Sequence, residues 1–191
     1  MKTILKSILI LSVCALFIIS CKTENDLGGK PVPVDIVSFE RYGMKAYFPE
    51  NDWEYRTYLI DMKGFERECA TAFLNESAVI IDNKPKYSVN ISFMRFISTF
   101  ENEAKANEII SAIKESYTFH YPSVSDITLT KINNYEASAI KSKTPEDFID
   151  ESFFIYHKER LYWICMIMPE NKVKDYYSEC MEIVNTLEIT E

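Results

Sequence analysis

Leu161-Tyr162-Trp163-Ile164-Cys165-Met166-Ile167-Met168 carries no polar interruption over eight positions. Successive residues of a strand point to opposite faces of its sheet, so this run presents apolar side chains both ways. A strand of that kind belongs inside a sheet covered on both faces. Phe153 to His157 precedes it across Lys158–Arg160, and the two read as an antiparallel hairpin. Pro169 then suits the first turn of a helix. Val173, Tyr176 or Tyr177, Cys180, Val184 and Leu187 follow at helical spacing, which predicts a helix to about Thr186, with Leu187 to Ile189 returning to the sheet.

Upstream, Ile127 to Ile132 and Tyr135 to Lys141 flank Asn133-Asn134. Asparagine tolerates positive φ, so a second hairpin is expected there. Thr144-Pro145 makes a loop, and the acidic run Glu146, Asp147, Asp150 and Glu151 reads as its solvated continuation. The run lacks the ligand spacing of a calcium loop. Further back, Tyr87, Val89, Ile91 and Phe93 alternate with Ser88, Asn90 and Ser92, the pattern of a half-buried strand. Ser98 and Glu101 form a capping-box pattern that opens a helix to about Tyr117, with Ala104, Ile109 or Ile110, Ile113 and Tyr117 on its apolar face. Residues 54–86 are less regular. Tyr55 to Ile60, Ala70 to Leu74 and Ala78 to Ile81 are candidate strands there, and Val34 to Glu40 and Met44 to Phe48 make two more around Gly43. Strands, a helix, two antiparallel hairpins and a helix, built around a doubly apolar strand, predict an α/β/α sandwich whose sheet is mainly antiparallel.

The amino end decides the compartment. Lys2 and Lys6 precede an apolar run from Ile8 to Ile19, and Ser20 supplies a small residue before Cys21. A basic start, a short apolar stretch and a small residue at the cut site make an export signal. A membrane span needs roughly 20 apolar residues, which this run does not reach. Ile18-Ile19-Ser20-Cys21 resembles the bacterial lipoprotein processing box. The resemblance implies cleavage between Ser20 and Cys21 and acylation of Cys21 on its sulfur and its new amine. One acyl chain anchors only marginally, at about 0.8 kcal/mol per buried CH₂, whereas several on one residue hold firmly. Lys22 at the next position resembles lipoproteins sent to the outer membrane. The chain therefore divides into a signal (1–20), a lipidated cysteine and Gly/Pro-containing tether (21–33), and one globular domain (34–191).

Of 191 residues, 47% are hydrophobic and 14% aromatic, enough for a folded core. The formal charge is −8; without the +2 of the signal lysines the mature chain is near −10. That excludes a basic nucleic-acid-binding surface as the main feature, because such binding neutralises phosphates with lysine and arginine. Cys69, Cys165 and Cys180 remain in the mature domain beside Cys21. Either one disulfide plus a thiol or three thiols fits the count; the apolar settings of Cys165 and Cys180 favour buried thiols.

Little chemistry is written in the residues. Gly43 and Gly64 are the domain's two glycines, too few for a phosphate-cradling loop or a nucleophile elbow. The two histidines, His120 and His157, and the lack of a Cys-x-x-Cys pair exclude a multi-histidine or zinc-finger site. A His157–Cys165 dyad would span about 10 Å or more along its hairpin, too far for proton transfer. Tyr55, Tyr58, Tyr87, Tyr117, Tyr121, Tyr135 and Tyr156 suit either a binding face or the rim of a small core.

The order of elements resembles the PsbP-like fold from about Phe39 to Ile189. The resemblance rests on the opening strand ending in Tyr47-Phe48-Pro49 with Trp53 behind it, the helix after the Tyr87–Phe96 strand, the Ile132–Ala139 hairpin, and the closing strand–helix–strand from Leu161. The chain departs from the pattern at Asn134, where relatives often carry glycine, and in the long 54–86 segment. Relatives include photosystem assembly proteins, a nuclear-transport regulator and bacterial lipoproteins, most of which bind other proteins. The resemblance implies a non-catalytic module without cofactor, held to the bilayer by Cys21 and facing another envelope or secreted protein. An immunity or inhibitor lipoprotein, acidic enough to capture a basic toxin quickly, is the alternative expectation. A carboxylate-dependent hydrolase is a third, resting on the abundance of Asp and Glu.

Overall fold

A computed structural model of the chain describes residues 36–39, 43–48, 52–59, 68–81 and 84–190. Ser20, Cys21, the tether and the expected domain start at Val34 lie outside them. In chain order the elements are β1 (Ile36–Phe39), β2 (Met44–Tyr47), β3 (Trp53–Leu59), β4 (Glu68–Leu74), β5 (Ala78–Ile81), β6 (Lys84–Tyr87), β7 (Asn90–Arg95), α1 (Glu103–His120), β8 (Ser123–Val124), β9 (Thr128–Ile132), β10 (Tyr135–Lys143), β11 (Phe148–His157), β12 (Arg160–Pro169), α2 (Val173–Asn185) and β13 (Glu188–Ile189).

The doubly apolar run is β12, and it lies inside an eight-stranded sheet of order β3-β4-β7-β12-β11-β10-β8, with β9 also on β10. The ladders on either side of β12 are antiparallel. Its side chains alternate between two cores. Tyr162, Ile164, Met166 and Met168 join the core under α2, with Cys180, Ile183 and Val184. Leu161, Trp163 and Cys165 join the core under α1, with Ala106, Ile110, Ile113 and Tyr117. The sandwich expected from the run is therefore the one observed, with one helix on each face. β11 turns into β12 through Lys158 (φ 45°) and Glu159 (φ 63°). Both centre residues are left-handed, which matches the twist of the paired strands.

Three local expectations are corrected. The helix after β7 does not start at Ser98. Phe100 N–H donates to the Glu159 carbonyl at 2.8 Å, which holds that segment on the β11–β12 turn. Asn102 is the cap instead, its side chain accepting from Lys105 N–H at 3.1 Å, and Ala104 is exposed. The strand read from Tyr87 is two strands, β6 and β7, and β7 is covered on both faces rather than half-buried. Its polar Ser92 is buried and meets Thr71 Oγ1 at 2.9 Å across the ladder. The acidic run is not a solvated loop throughout. β11 begins at Phe148, so Asp150 and Glu151 are strand residues, and only Glu146 and Asp147 stay exposed in the loop.

The carboxyl end returns to a sheet, but a small separate one of order β1-β2-β13. The β9–β10 turn ties it down. Asn133 takes φ 52°, and its side-chain amide donates to the Leu187 carbonyl at 3.0 Å. Tyr135 OH accepts from Ile189 N–H at 2.9 Å. The left-handed position of this turn is thus Asn133 and not Asn134, where the resemblance implies glycine, and the Asn133 side chain adds a long-range bond. Asn133→Gly is expected to cost about 1 kcal/mol through the lost bond. Asn133→Ala is expected to cost about 2 kcal/mol, because it adds the left-handed penalty of a Cβ. Urea unfolding of the two variants checks this; equal losses would show that the turn conformation is not part of the cost.

Candidate functional site

A cluster of buried dissociable side chains lies under the carboxyl-terminal half of α1. β11 alternates, so Asp150, Ser152 and Phe154 share the α1 face, while Glu151, Phe153 and Ile155 face α2. Asp150 is 2% exposed and Ser152 is fully buried. Ser152 Oγ donates to Asp150 Oδ1 at 2.9 Å and accepts from Trp163 Nε1 at 3.0 Å. Cys165 Sγ, on the neighbouring strand, reaches Asp150 Oδ1 at 3.5 Å. Tyr117 of α1 extends its hydroxyl to Asp150 Oδ2 at 3.5 Å. Ser142 of β10 faces Asp150 across the ladder. It is 2% exposed, and its Oγ has no hydrogen-bond partner in the protein.

Among the described residues no lysine, arginine or histidine pairs with Asp150. Burial is the main effect on its carboxyl and raises its pKa to about 6, against the pull of the Ser152, Cys165 and Tyr117 hydrogen bonds. Burial, with the field of Asp150 behind it, also pushes the Tyr117 hydroxyl well above its ordinary value. A proton taken up here goes to the carboxylate.

The adjacent carboxyl does not make a catalytic pair with it. Glu151 points to the other side of the sheet, where Tyr177 OH donates to it at 3.3 Å and Lys141 Nζ lies 3.5 Å away. Two carboxyls on opposite faces of a strand cannot flank one bond, as a hydrolase of that type needs. The His157–Cys165 dyad is absent for a stronger reason than distance. His157 packs edge-on against Tyr135 at 5.4 Å on the α2 face, and Cys165 lies on the α1 face. Cys165 and Cys180 are buried thiols outside any disulfide, on opposite faces of the sheet, as expected for thiols acting as small hydrophobes. Burial raises the Cys180 thiol to about 12, which keeps it unreactive. Among the described residues no three His, Cys, Asp or Glu side chains form a metal-holding group. Tyr117 and Tyr162 are interior, and Tyr121, Tyr135, Tyr156, Tyr176 and Tyr177 are half-buried at the edges of the two cores. These described tyrosines have the rim arrangement; the side chains of Tyr55, Tyr58 and Tyr87 lie outside the described ones.

Sequence reading missed Asp150 because the acidic run after Thr144-Pro145 masks the strand start. A usable signal was present. Phe148, Asp150, Ser152 and Phe154 continue the alternation of the hairpin backward through the acidic residues.

An antiparallel sheet with a helix packed on each face is the PsbP-like architecture, and solved structures share it. The solution structure of cyanobacterial PsbP (CyanoP) from Synechocystis sp. PCC 6803 matches with a TM-score of 0.57 at 8% identity, over 85% of this chain and 95% of that one. LpqN, involved in cell envelope biogenesis of Mycobacterium tuberculosis, matches with a TM-score of 0.50 at 9% identity, over 86% and 88%. A protein from Bacteroides thetaiotaomicron VPI-5482 matches with a TM-score of 0.52 at 12% identity, over 84% of this chain and 50% of that one, so this chain spans about half its length. At these identities the likeness is one of fold. No protein-family model and no curated protein sequence matches the chain.

Proposed function

We propose that the protein is a lipoprotein of the bacterial cell envelope, anchored through acylated Cys21, whose domain binds another envelope or secreted protein and catalyses nothing. The observation that carries the non-catalytic part is where the reactive groups lie. Asp150, Cys165 and Tyr117 are sealed between sheet and helix, and Glu151 and His157 are on the far side of the sheet, so the groups that a catalytic site would combine are kept apart. The processing box at Ile18-Ile19-Ser20-Cys21 supports the anchor, and Lys22 supports the outer membrane as its destination. The likeness in fold to LpqN, a protein of envelope biogenesis, agrees with that setting.

Cys21→Ser is the direct test. The wild-type chain is expected to incorporate palmitate and to sediment with the outer membrane. The variant is expected to lose the label entirely and to leave that fraction. A variant that is still cut and still membrane-bound would refute the anchor. For the binding reading, cross-linking on intact envelopes is expected to give a discrete adduct with the wild-type chain; recovery of nothing above background would refute it.

A further inference from the structure

The buried cluster under α1 does something that its hydrogen bonds alone do not explain. An ionised carboxylate accepts hydrogen bonds and donates none. Asp150 has three donors around it but no cation among the described residues, and a sealed charge without a counter-charge is costly. Facing it across the β10–β11 ladder is Ser142 Oγ, buried and without a partner. A neutral Asp150 has one O–H to give, and Ser142 is a free acceptor on the same face. The serine hydroxyl can accept from the neutral acid or donate to the ionised one, but only the neutral form leaves no uncompensated charge in the sealed interior.

We propose that Asp150 is a proton-binding site governing how firmly the carboxyl-terminal half of α1 is docked. With the proton in place, Asp150 donates to Ser142 and α1 closes over a neutral interior. Without it, a bare charge lies beneath Tyr117, and the helix end lifts to admit water. The groups facing Asp150 are Ser142 from β10, Ser152 from β11, Cys165 and the Ser152-bound Trp163 from β12, and Tyr117 from α1, with Tyr121 packed on Tyr117 at 5.0 Å. The charge next along the chain is Glu151, which is of like sign and disfavours ionisation further. The loosened state would expose the helix end and β8 to the medium, so the surface offered by an envelope-facing domain would depend on external acidity.

Amide hydrogen exchange on the full chain in detergent, corrected for the intrinsic pH dependence of exchange, tests this. From about pH 5 to about pH 8, protection over residues 110–120 is expected to fall about tenfold, while that of α2 stays within about twofold. In Asp150→Asn the dependence on α1 is expected to vanish. In Ser142→Ala the midpoint is expected to move to lower pH, because the neutral acid has lost its acceptor. Protection of α1 that does not change, or that falls in step with α2, would overturn the proposal. So would a dependence that survives Asp150→Asn, or a midpoint that Ser142→Ala leaves in place. If Asp150→Asn does not fold, the wild-type profile and Ser142→Ala decide the matter between them.

Discussion

Trp163→Ala is expected to destabilise the protein by about 4 kcal/mol, the upper range for an aromatic residue deleted from a core. Trp163 is fully buried in the middle of β12, with its ring 5.2 Å from that of Phe154. Two losses combine in the variant. The apolar ring leaves a cavity that strands β7 and β11 cannot close, because their ladders hold them at fixed spacing. Ser152 Oγ also loses the indole N–H that it accepts at 3.0 Å, inside a cluster with few alternatives. Trp163→Phe separates the two, since it keeps most of the packing and drops the hydrogen bond; about 1–2 kcal/mol is expected from it. Domains of this size have total stabilities of roughly 5–15 kcal/mol, so the alanine variant stands near the limit of folding. Urea unfolding measures both. A loss under about 2 kcal/mol for Trp163→Ala would mean that the core on the α1 side is not close-packed.

Asp150→Asn is expected to raise stability at neutral pH, an unusual result for a buried polar residue. The folded carboxyl titrates at about 6, and an unfolded one at about 3.9. The folded state thus holds its proton more tightly than the unfolded state does. Its advantage is complete below the unfolded value and is lost as pH rises through the folded one. The loss between about pH 4 and about pH 7 amounts to roughly 3 kcal/mol. Asparagine keeps the shape, carries no charge, and brings an N–H₂ that Ser142 Oγ can accept. At about pH 7.5 the variant is expected to exceed wild type by about 2 kcal/mol, or roughly 5 °C in Tm. At about pH 4 the two should coincide to within about 0.5 kcal/mol. Comparing the variant with wild type at each pH cancels the other carboxylates. A difference that does not change with pH would mean that Asp150 is hydrated in the folded state.

Most of the architecture was legible because it depended on local pattern. The both-sided apolarity of 161–168 called for a strand between two layers, and such a strand has few other stable settings. The hairpins were legible at Asn133 and at 158–160 because turn geometry is a property of a few adjacent residues. Helix α2 was legible because Val173, Cys180 and Val184 repeat at its period. What failed did so for long-range reasons. Ser98-x-x-Glu101 is a sound local cap, but a backbone bond to Glu159, far along the chain, keeps that segment out of the helix. The polar face of β7 looked solvent-bound because nothing nearby in sequence shows that Thr71 comes to meet Ser92.

The sequence alone determined the class of fold; its amino end carries the pattern from which an export signal is expected, and its domain holds too few glycines and histidines for a phosphate-cradling loop or a multi-histidine site. These follow from composition, spacing and periodicity, which need no knowledge of partners. Only the tertiary structure decided that Asp150 is sealed under α1 while Glu151 beside it is partly exposed on the opposite face, that Cys165 and His157 are on opposite sides of a sheet, and that Asn133 ties the carboxyl end. Each of those depends on which strand lies alongside. The free energy of a charged side chain is set by what surrounds it in space, and residues distant in the chain supply those surroundings.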